Sequence, residues 1–220
     1  MKTQCDGCGT CCRNGGPPLH GQDLQLINSG VLVFGDLVTV RLGEMVFSPM
    51  AALPAPAKTE WIKIQGAGGN WCCRFLNASS NSCTIYSHRP SSCRALKCWD
   101  TSEILAMEGR DLLTRSDLID GNDPLLALVQ LQGECCPVPD MEHIAAMLKG
   151  KKGRMQLMKD LTILVENDLR IRARAVKECN ISLAGELFYF GRPLFQLFLP
   201  MEIVTTETTA GIQLRFQPHC

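Results

Sequence analysis

Four cysteines fall within eight residues near the start of the chain: Cys5, Cys8, Cys11 and Cys12, in the run Cys5-Asp6-Gly7-Cys8-Gly9-Thr10-Cys11-Cys12. Thiolates this crowded repel one another and oxidise readily, and a soft, positively charged metal centre relieves both problems. The opening segment must therefore wrap around a ligand. Gly7, Gly9, Gly15 and Gly16 give its backbone the freedom to turn sharply. A second cysteine-rich stretch carries Cys72, Cys73, Cys83, Cys93 and Cys98.

The spacing suits two chemistries. Two-residue gaps in Cys5-x2-Cys8-x2-Cys11 place three sulfurs around one turning backbone, as tetrahedral zinc requires. The same run holds three corners of a cubane cluster in bacterial-type ferredoxins. Cys12 follows Cys11 directly, and in an extended chain adjacent side chains point to opposite sides, so Cys12 is expected to serve a second centre. Cys73, Cys83, Cys93 and Cys98 bring the set to eight, enough for two four-sulfur sites; one cluster with spectator thiols is the other arrangement. Arg13, Arg74, Arg89, Arg94 and Lys97 lie close to the cysteines in sequence and would lower thiolate pKa values.

Composition narrows the class. With 220 residues the chain can bury a sizeable core, so the cysteines are not substitutes for one. Lys+Arg and Asp+Glu are both 22, and a net charge of zero argues against a protein that coats nucleic acid or an anionic membrane. No stretch has the length of a membrane span, and the most apolar one, Leu183 to Val204, is broken by Gly185, Glu186, Pro193, Pro200 and Glu202 and reads as buried helices. Without a secretory h-region at the start, a cytoplasmic location is expected, where clustered thiols hold metal rather than disulfides. An odd cysteine count of 13 fits that reading.

The element pattern divides the chain into residues 1–100, a cysteine-cluster metal-binding domain, and 101–220, a mainly helical region packed on it. In the first part a short helix starts at His20-Gly21-Gln22-Asp23 and ends at Gly30. Leu37 to Leu42 is a strand, Gly43-Glu44 a turn and Met45 to Phe47 the returning strand. Ala51 to Lys58 is a loop, Trp61 to Gln65 a strand, and Gly66 to Asn70 and Asn77 to Ser82 are turns. Pro90 makes Arg89 to Cys93 a turn entering a short helix whose role is to hold Cys93. In the second part, helices are expected over Ser102–Glu108, Pro124–Leu131, Asp140–Lys149, Arg154–Cys179 and Ser182–Phe190. A hairpin closes the chain over Met201–Thr206 and Ile212–Phe216. The fold class is α+β: a small cysteine-ligated, β-containing N-terminal part packed on a helical C-terminal part.

The combined pattern resembles the CxxCxxCC cysteine-cluster family of the YkgJ type, whose members are thought to chelate zinc or iron. The residues that carry the resemblance are the opening run, Trp71-Cys72-Cys73-Arg74-Phe75-Leu76, the string Cys83-Thr84-Ile85-Tyr86-Ser87-His88-Arg89-Pro90-Ser91-Ser92-Cys93-Arg94, and Cys98. It covers about residues 5 to 98. The resemblance implies metal ligation by Cys5, Cys8, Cys11, Cys12, Cys73, Cys83, Cys93 and Cys98. Cys73 is chosen over Cys72 because it precedes Arg74-Phe75-Leu76 in the family's pattern. A related cluster in flagellin lysine methylases is thought to hold an iron–sulfur centre, which favours iron over zinc.

Other candidates carry less. Cys135 and Cys136 either fold back to complete a site or are thiols at the end of a helix; Cys179 and Cys220 are read as spectators. His20 and His88 are read as surface groups or as groups behind the ligands. Arg170, Arg172, Arg174 and Lys177 form a basic run expected to solvate a helix face. No acid–base set, Walker loop or H-E-x-x-H motif is present, so a catalytic metal ranks behind two other readings. These are an accessory or redox protein holding an iron–sulfur cluster or zinc, and a purely structural zinc module that serves a protein partner.

Overall fold

The computed structural model describes residues 5, 7–47, 53–68, 71–150, 152–209 and 211–217. In chain order the elements are α1 Thr10–Arg13, α2 Leu24–Asn28, β1 Leu37–Val40, β2 Met45–Val46, β3 Ala55–Pro56, β4 Trp61–Ile64, β5 Gly66–Ala67, β6 Cys72–Cys73, β7 Leu76–Asn77, β8 Ser82–Cys83 and α3 Ser91–Ala95. They continue as α4 Ser102–Met107, α5 Leu126–Cys135, α6 Met141–Lys149, α7 Arg154–Cys179, α8 Leu183–Phe190, α9 Leu194–Phe198, β9 Ile203–Thr208 and β10 Gly211–Phe216. Small strand pairs fill the N-terminal half and helices most of the C-terminal half, so the chain is α+β.

One strand pair organises the first half. β1 runs antiparallel to β4, with Leu37 opposite Ile64 and Val40 opposite Trp61. All of β1 is buried, and α8 packs on it and on the 3-10 turn Phe34–Asp36. Phe34 stacks on Phe188 with ring centroids 4.0 Å apart, and the Thr39 hydroxyl donates to the Phe188 carbonyl oxygen. The free edge of β4 takes up the segment after the first cysteines: Ile64 N–H donates to Pro17 O at 3.0 Å, and Leu19 N–H to Ile62 O at 2.9 Å. Gly16 lies so close to this strand that a Cβ there would stand 2.2 Å from the Ile64 carbonyl oxygen. The cysteine arm is thereby pinned to a core strand.

The expected hairpin of Leu37–Leu42 with Met45–Phe47 does not form. β2 instead pairs with β3, placing Met45 opposite Pro56, so the stretch read as a loop over 51–58 contains a strand. Burial decides this: β1 must pair inside the core, and Trp61–Ile64 alternates in step with it, whereas Phe47 is 78 % exposed. Residues 51–52 of that loop and 69–70 of the following turn lie outside the described residues.

The helical half follows its sequence signals closely. Asp140 caps α6 by accepting from His143 N–H at 2.9 Å, and Ser182 caps α8 by accepting from Gly185 N–H at 3.1 Å. Asn180 ends α7 with φ 51°, a left-handed C-cap. The closing hairpin forms with Ile203 opposite Phe216. α9 is an additional helix after Pro193. No helix of the described residues is long and apolar enough to cross a membrane.

One hydrophobic core joins the halves, including Leu19, Leu37, Ile62 and Ile64 from the first and Leu161, Val165, Phe188 and Phe198 from the second. A buried polar network runs through it, and here the basic run on α7 departs from expectation. Arg172 is 3 % exposed rather than solvated. Its guanidinium meets Asp168 at 3.0 Å and Glu186 at 2.8 Å, and donates to the carbonyl oxygens of Phe190 and Gly191. Helical spacing puts Arg172 on the inner face with Leu161, Val165, Asp168 and Ala175. Gln132 completes the far side of Asp168 at 2.7 Å. Arg170, Arg174 and Lys177 are exposed as expected.

Candidate metal centre

Each cysteine segment is shaped by a different local device. Gly9, with φ 71°, turns the chain into α1, which holds Cys11 and Cys12. Their sulfurs are 3.9 Å apart. The expectation that Cys12 points away from Cys11 assumed an extended chain; in a helical turn successive residues are about 100° apart and can share a side. Before α1, the Gly7 amide donates to Cys5 Sγ at 3.4 Å, and Arg13 reaches back to the Cys8 carbonyl oxygen at 2.8 Å.

The Cys72-Cys73 doublet is separated by its strand. In β6, paired with β5 so that Gly66 faces Cys73, successive side chains take opposite faces. Cys73 is buried and lines the main cavity, whereas Cys72 turns to the Arg13 carbonyl oxygen at 3.6 Å. The β7–β8 hairpin, with Leu76 opposite Cys83, delivers Cys83. α3 delivers Cys93, and the turn after it delivers Cys98.

The cavity these segments surround has a volume of about 1070 Å³. Cys5, Cys11, Cys12, Cys73, Cys83, Cys93 and Cys98 all line it. Cys8 is exposed and stands outside the lining, its sulfur 3.3 Å from Thr10 Oγ1. Among the described residues, no group of three or more His, Cys, Asp or Glu side chains is already closed around a single metal-sized point.

Five of these thiols form an inner set that act on one another electrostatically. Burial pushes the Cys12 thiol up to about 12, helped by Cys11, Cys73 and Cys83. Cys93 is pushed up to about 12 by burial and then by Cys73, Cys12, Cys11 and Cys83. Cys73 is raised by burial, with the Phe75 amide drawing it back and Cys83 and Cys11 adding to the rise. Desolvated thiols that repel each other's charged forms need a cation before they can ionise together.

The nearby cations divide into two groups. Arg74 pairs with Asp36 at 2.9 Å and donates to Gln65, so it serves the scaffold rather than the sulfurs. Arg13 ties α1 to Asn81 of the β7–β8 turn. Arg89, Arg94 and Lys97 line the cavity, Lys97 paired with Glu103 at 2.6 Å.

Lys63 was not legible as part of the site. On β4, its Nζ lies near Gly15 of the cysteine arm, and burial first, then Arg192, lower its pKa, while Glu44 and Cys73 oppose the shift. It sits far from the cysteines in sequence, and only the β4 alternation hints at its side.

His20 is buried rather than on the surface, and it works behind the ligands. Its Nδ1 is 2.8 Å from the Arg110 carbonyl oxygen and its Nε2 2.9 Å from Ser92 Oγ. A carbonyl only accepts, so Nδ1 carries a proton. Beside it the fully buried Asp23 accepts from His20 N–H at 3.0 Å, Ser91 N–H at 2.8 Å and Ser91 Oγ–H at 2.7 Å. This latch ties the N-terminal segment to α3 and so to Cys93. His88 is exposed, its Nδ1 3.1 Å from Ser87 Oγ.

Cys135 and Cys136 do not join the cavity. Cys136 is fully buried beside Arg41, which donates to its carbonyl oxygen, and burial followed by Asp168 pushes its thiol up to about 11. Cys179 is half-buried at the end of α7. His219 and Cys220 lie outside the described residues.

A family model matches residues 4–110, the stretch that contains every cavity cysteine: CxxCxxCC, described as "Putative zinc- or iron-chelating domain". Residues 4–110 are thus similar to that domain. The match ends just after α4, so it spans the whole wall of the cavity and stops before α5. No curated protein and no solved structure matches the chain significantly.

Proposed function

We propose that the CxxCxxCC domain holds zinc or an iron–sulfur centre through Cys5, Cys8, Cys11, Cys12, Cys73, Cys83, Cys93 and Cys98, and that the protein serves an accessory or redox role in a reducing compartment such as the cytoplasm. Cys11, Cys12, Cys73, Cys83 and Cys93 are the inner ligands, and Cys5, Cys8 and Cys98 complete the set. The helical half acts as the scaffold that keeps β1 and β4 in place behind them.

The observation that carries this reading is the convergence of thiols from α1, β6, β8 and α3 on one cavity, with Cys12 and Cys93 pushed up to about 12. Cys12 and Cys93 therefore keep their protons near pH 7. A metal replaces those protons and supplies the positive charge that burial otherwise withholds. Four thiolates suit tetrahedral zinc or the corners of an iron–sulfur cluster equally. Cys12, next to Cys11 on the same helical turn, fits one shared centre as well as two adjoining ones.

Anaerobic purification with metal analysis and a visible absorption spectrum tests the reading. Stoichiometric zinc without visible absorption excludes the iron–sulfur version; iron with matching sulfide and a band that bleaches on reduction excludes zinc. Replacing Cys73 or Cys93 by Ser is expected to abolish stoichiometric metal, while Cys72→Ser and Cys136→Ser retain it. Equal metal loss from Cys136→Ser and Cys93→Ser would refute the ligand assignment.

A further inference from the structure

The cavity is much larger than its metal needs. It has a volume of about 1070 Å³. That volume is in the range of small-molecule sites, which span roughly 300–1,000 Å³ and combine apolar walls with a few placed polar groups. Leu96, Trp99, Ile104 and Leu105 form an apolar wall from the turn after α3 and from α4.

Arg89 lines the same cavity. Its guanidinium lies flat over the Tyr86 ring, with Cζ 3.7 Å from the ring centroid. The stack fixes the planar fork in one orientation. Its Nε is buried and has no hydrogen-bond partner. The other arginines near the cysteines are spoken for: Arg13 by Cys8 O and Asn81, Arg74 by Asp36, Arg94 by the Arg89 carbonyl oxygen. With its Nε turned into the protein, a guanidinium held in one orientation on the cavity wall meets an anion through its terminal nitrogens.

We propose that Arg89, held against Tyr86, anchors a small carboxylate- or phosphate-bearing molecule in the same cavity as the thiols. The apolar body of that molecule lies against Trp99 and Leu105. The inference rests on the proposed function only in placing this ligand beside a metal centre; the anchor itself needs no metal. It makes the centre one side of a binding chamber rather than a sealed structural knot.

The test is calorimetric titration of the metal-loaded protein with succinate and with inorganic phosphate, using succinamide as the uncharged control, alongside metal analysis of every variant. At least one anion is expected to bind saturably, and succinamide is not. Arg89→Gln is expected to weaken that binding at least tenfold while metal content stays at the wild-type level, and Arg89→Lys to restore it only in part. Tyr86→Leu, which frees the guanidinium, is expected to weaken it as well. The preferred anion distinguishes a carboxylate from a phosphate ligand.

The inference is overturned if neither anion binds, if Arg89→Gln binds as tightly as wild type, or if Arg89→Gln loses its metal, which would assign Arg89 to the thiolates instead. Wild-type protein that binds an anion but holds no metal would refute the proposed function and leave the anchor standing.

Discussion

Replacing Asp23 by Asn probes the link between the scaffold and the metal-side helix. Asp23 is fully buried, and its two oxygens take three donors: Oδ1 accepts from Ser91 N–H, and Oδ2 accepts from His20 N–H and Ser91 Oγ–H. An amide of the same shape has one accepting oxygen. Whichever way it turns, its NH₂ faces at least one buried donor. An unsatisfied buried donor costs about 1–3 kcal/mol, and the surviving bonds lose the strengthening that a charged acceptor gives. A loss of about 2–4 kcal/mol of folding stability follows. At roughly 2–4 °C per kcal/mol for a chain of this size, the melting temperature of the metal-free protein falls by about 4–16 °C. Ser91→Ala removes one donor and leaves the carboxylate with two, so it is expected to cost less than Asp23→Asn. Because the latch holds α3, Asp23→Asn is also expected to release metal to a chelator faster than wild type. A melting temperature within 1 °C of wild type, or a greater loss from Ser91→Ala than from Asp23→Asn, would refute the latch.

Arg172→Ala leaves the fully buried Asp168 without its cation and is expected to destabilise the protein by about 3–5 kcal/mol in urea unfolding; a loss under about 1 kcal/mol would show that the network is dispensable. The pH dependence of the metal-free protein follows from Cys12 and Cys93. Folded, they keep their protons to about 12; unfolded, they release them near 9. The unfolded chain is thus the one that gains from deprotonation, so stability present below about pH 9 is lost as the pH climbs toward 12. Metal loading displaces those same protons, so proton release on metal addition and tighter retention at higher pH are expected in a weakly buffered titration. Metal affinity that does not change with pH would contradict the buried-thiol account.

The helical half and the identity of the cysteine cluster were legible for physical reasons. Capping chemistry is local: Asp140, Asn180 and Ser182 each act within three or four residues, so their helices begin and end where the sequence marks them. Strand partners are not local. Met45–Val46 had a near neighbour in Leu37–Leu42, yet β1 pairs with β4, because the buried alternation of Trp61–Ile64 outweighs proximity along the chain. The basic run on α7 misled because charge alone does not report which side of a helix a residue takes. Arg172 shares the face of Leu161 and Val165 and finds Glu186 there, a partner from α8.

Within the site, the cysteine spacing named the candidate ligands but could not supply their neighbours. Lys63, Asp23 and Ser91 come to the cluster through β4 pairing and through the latch. Lys63 and Asp23 belong to no motif, and Ser91, though inside the Cys83–Arg94 string, has its partner Asp23 outside it. His20 was visible only as a histidine in the right region, and its burial against Ser92 depends on a contact with the distant α3.

The covering of β1 by α8 also has a consequence in time. Cys98 is roughly ninety residues ahead of the end of α8 in the chain. At about 5–20 residues per second, synthesis leaves every cavity cysteine outside the ribosome for roughly 5–20 s before the helix that buries β1 exists. Throughout that interval the strand behind the thiols lacks its cover. The growing chain therefore passes through a stage in which its thiols are most open to oxidation.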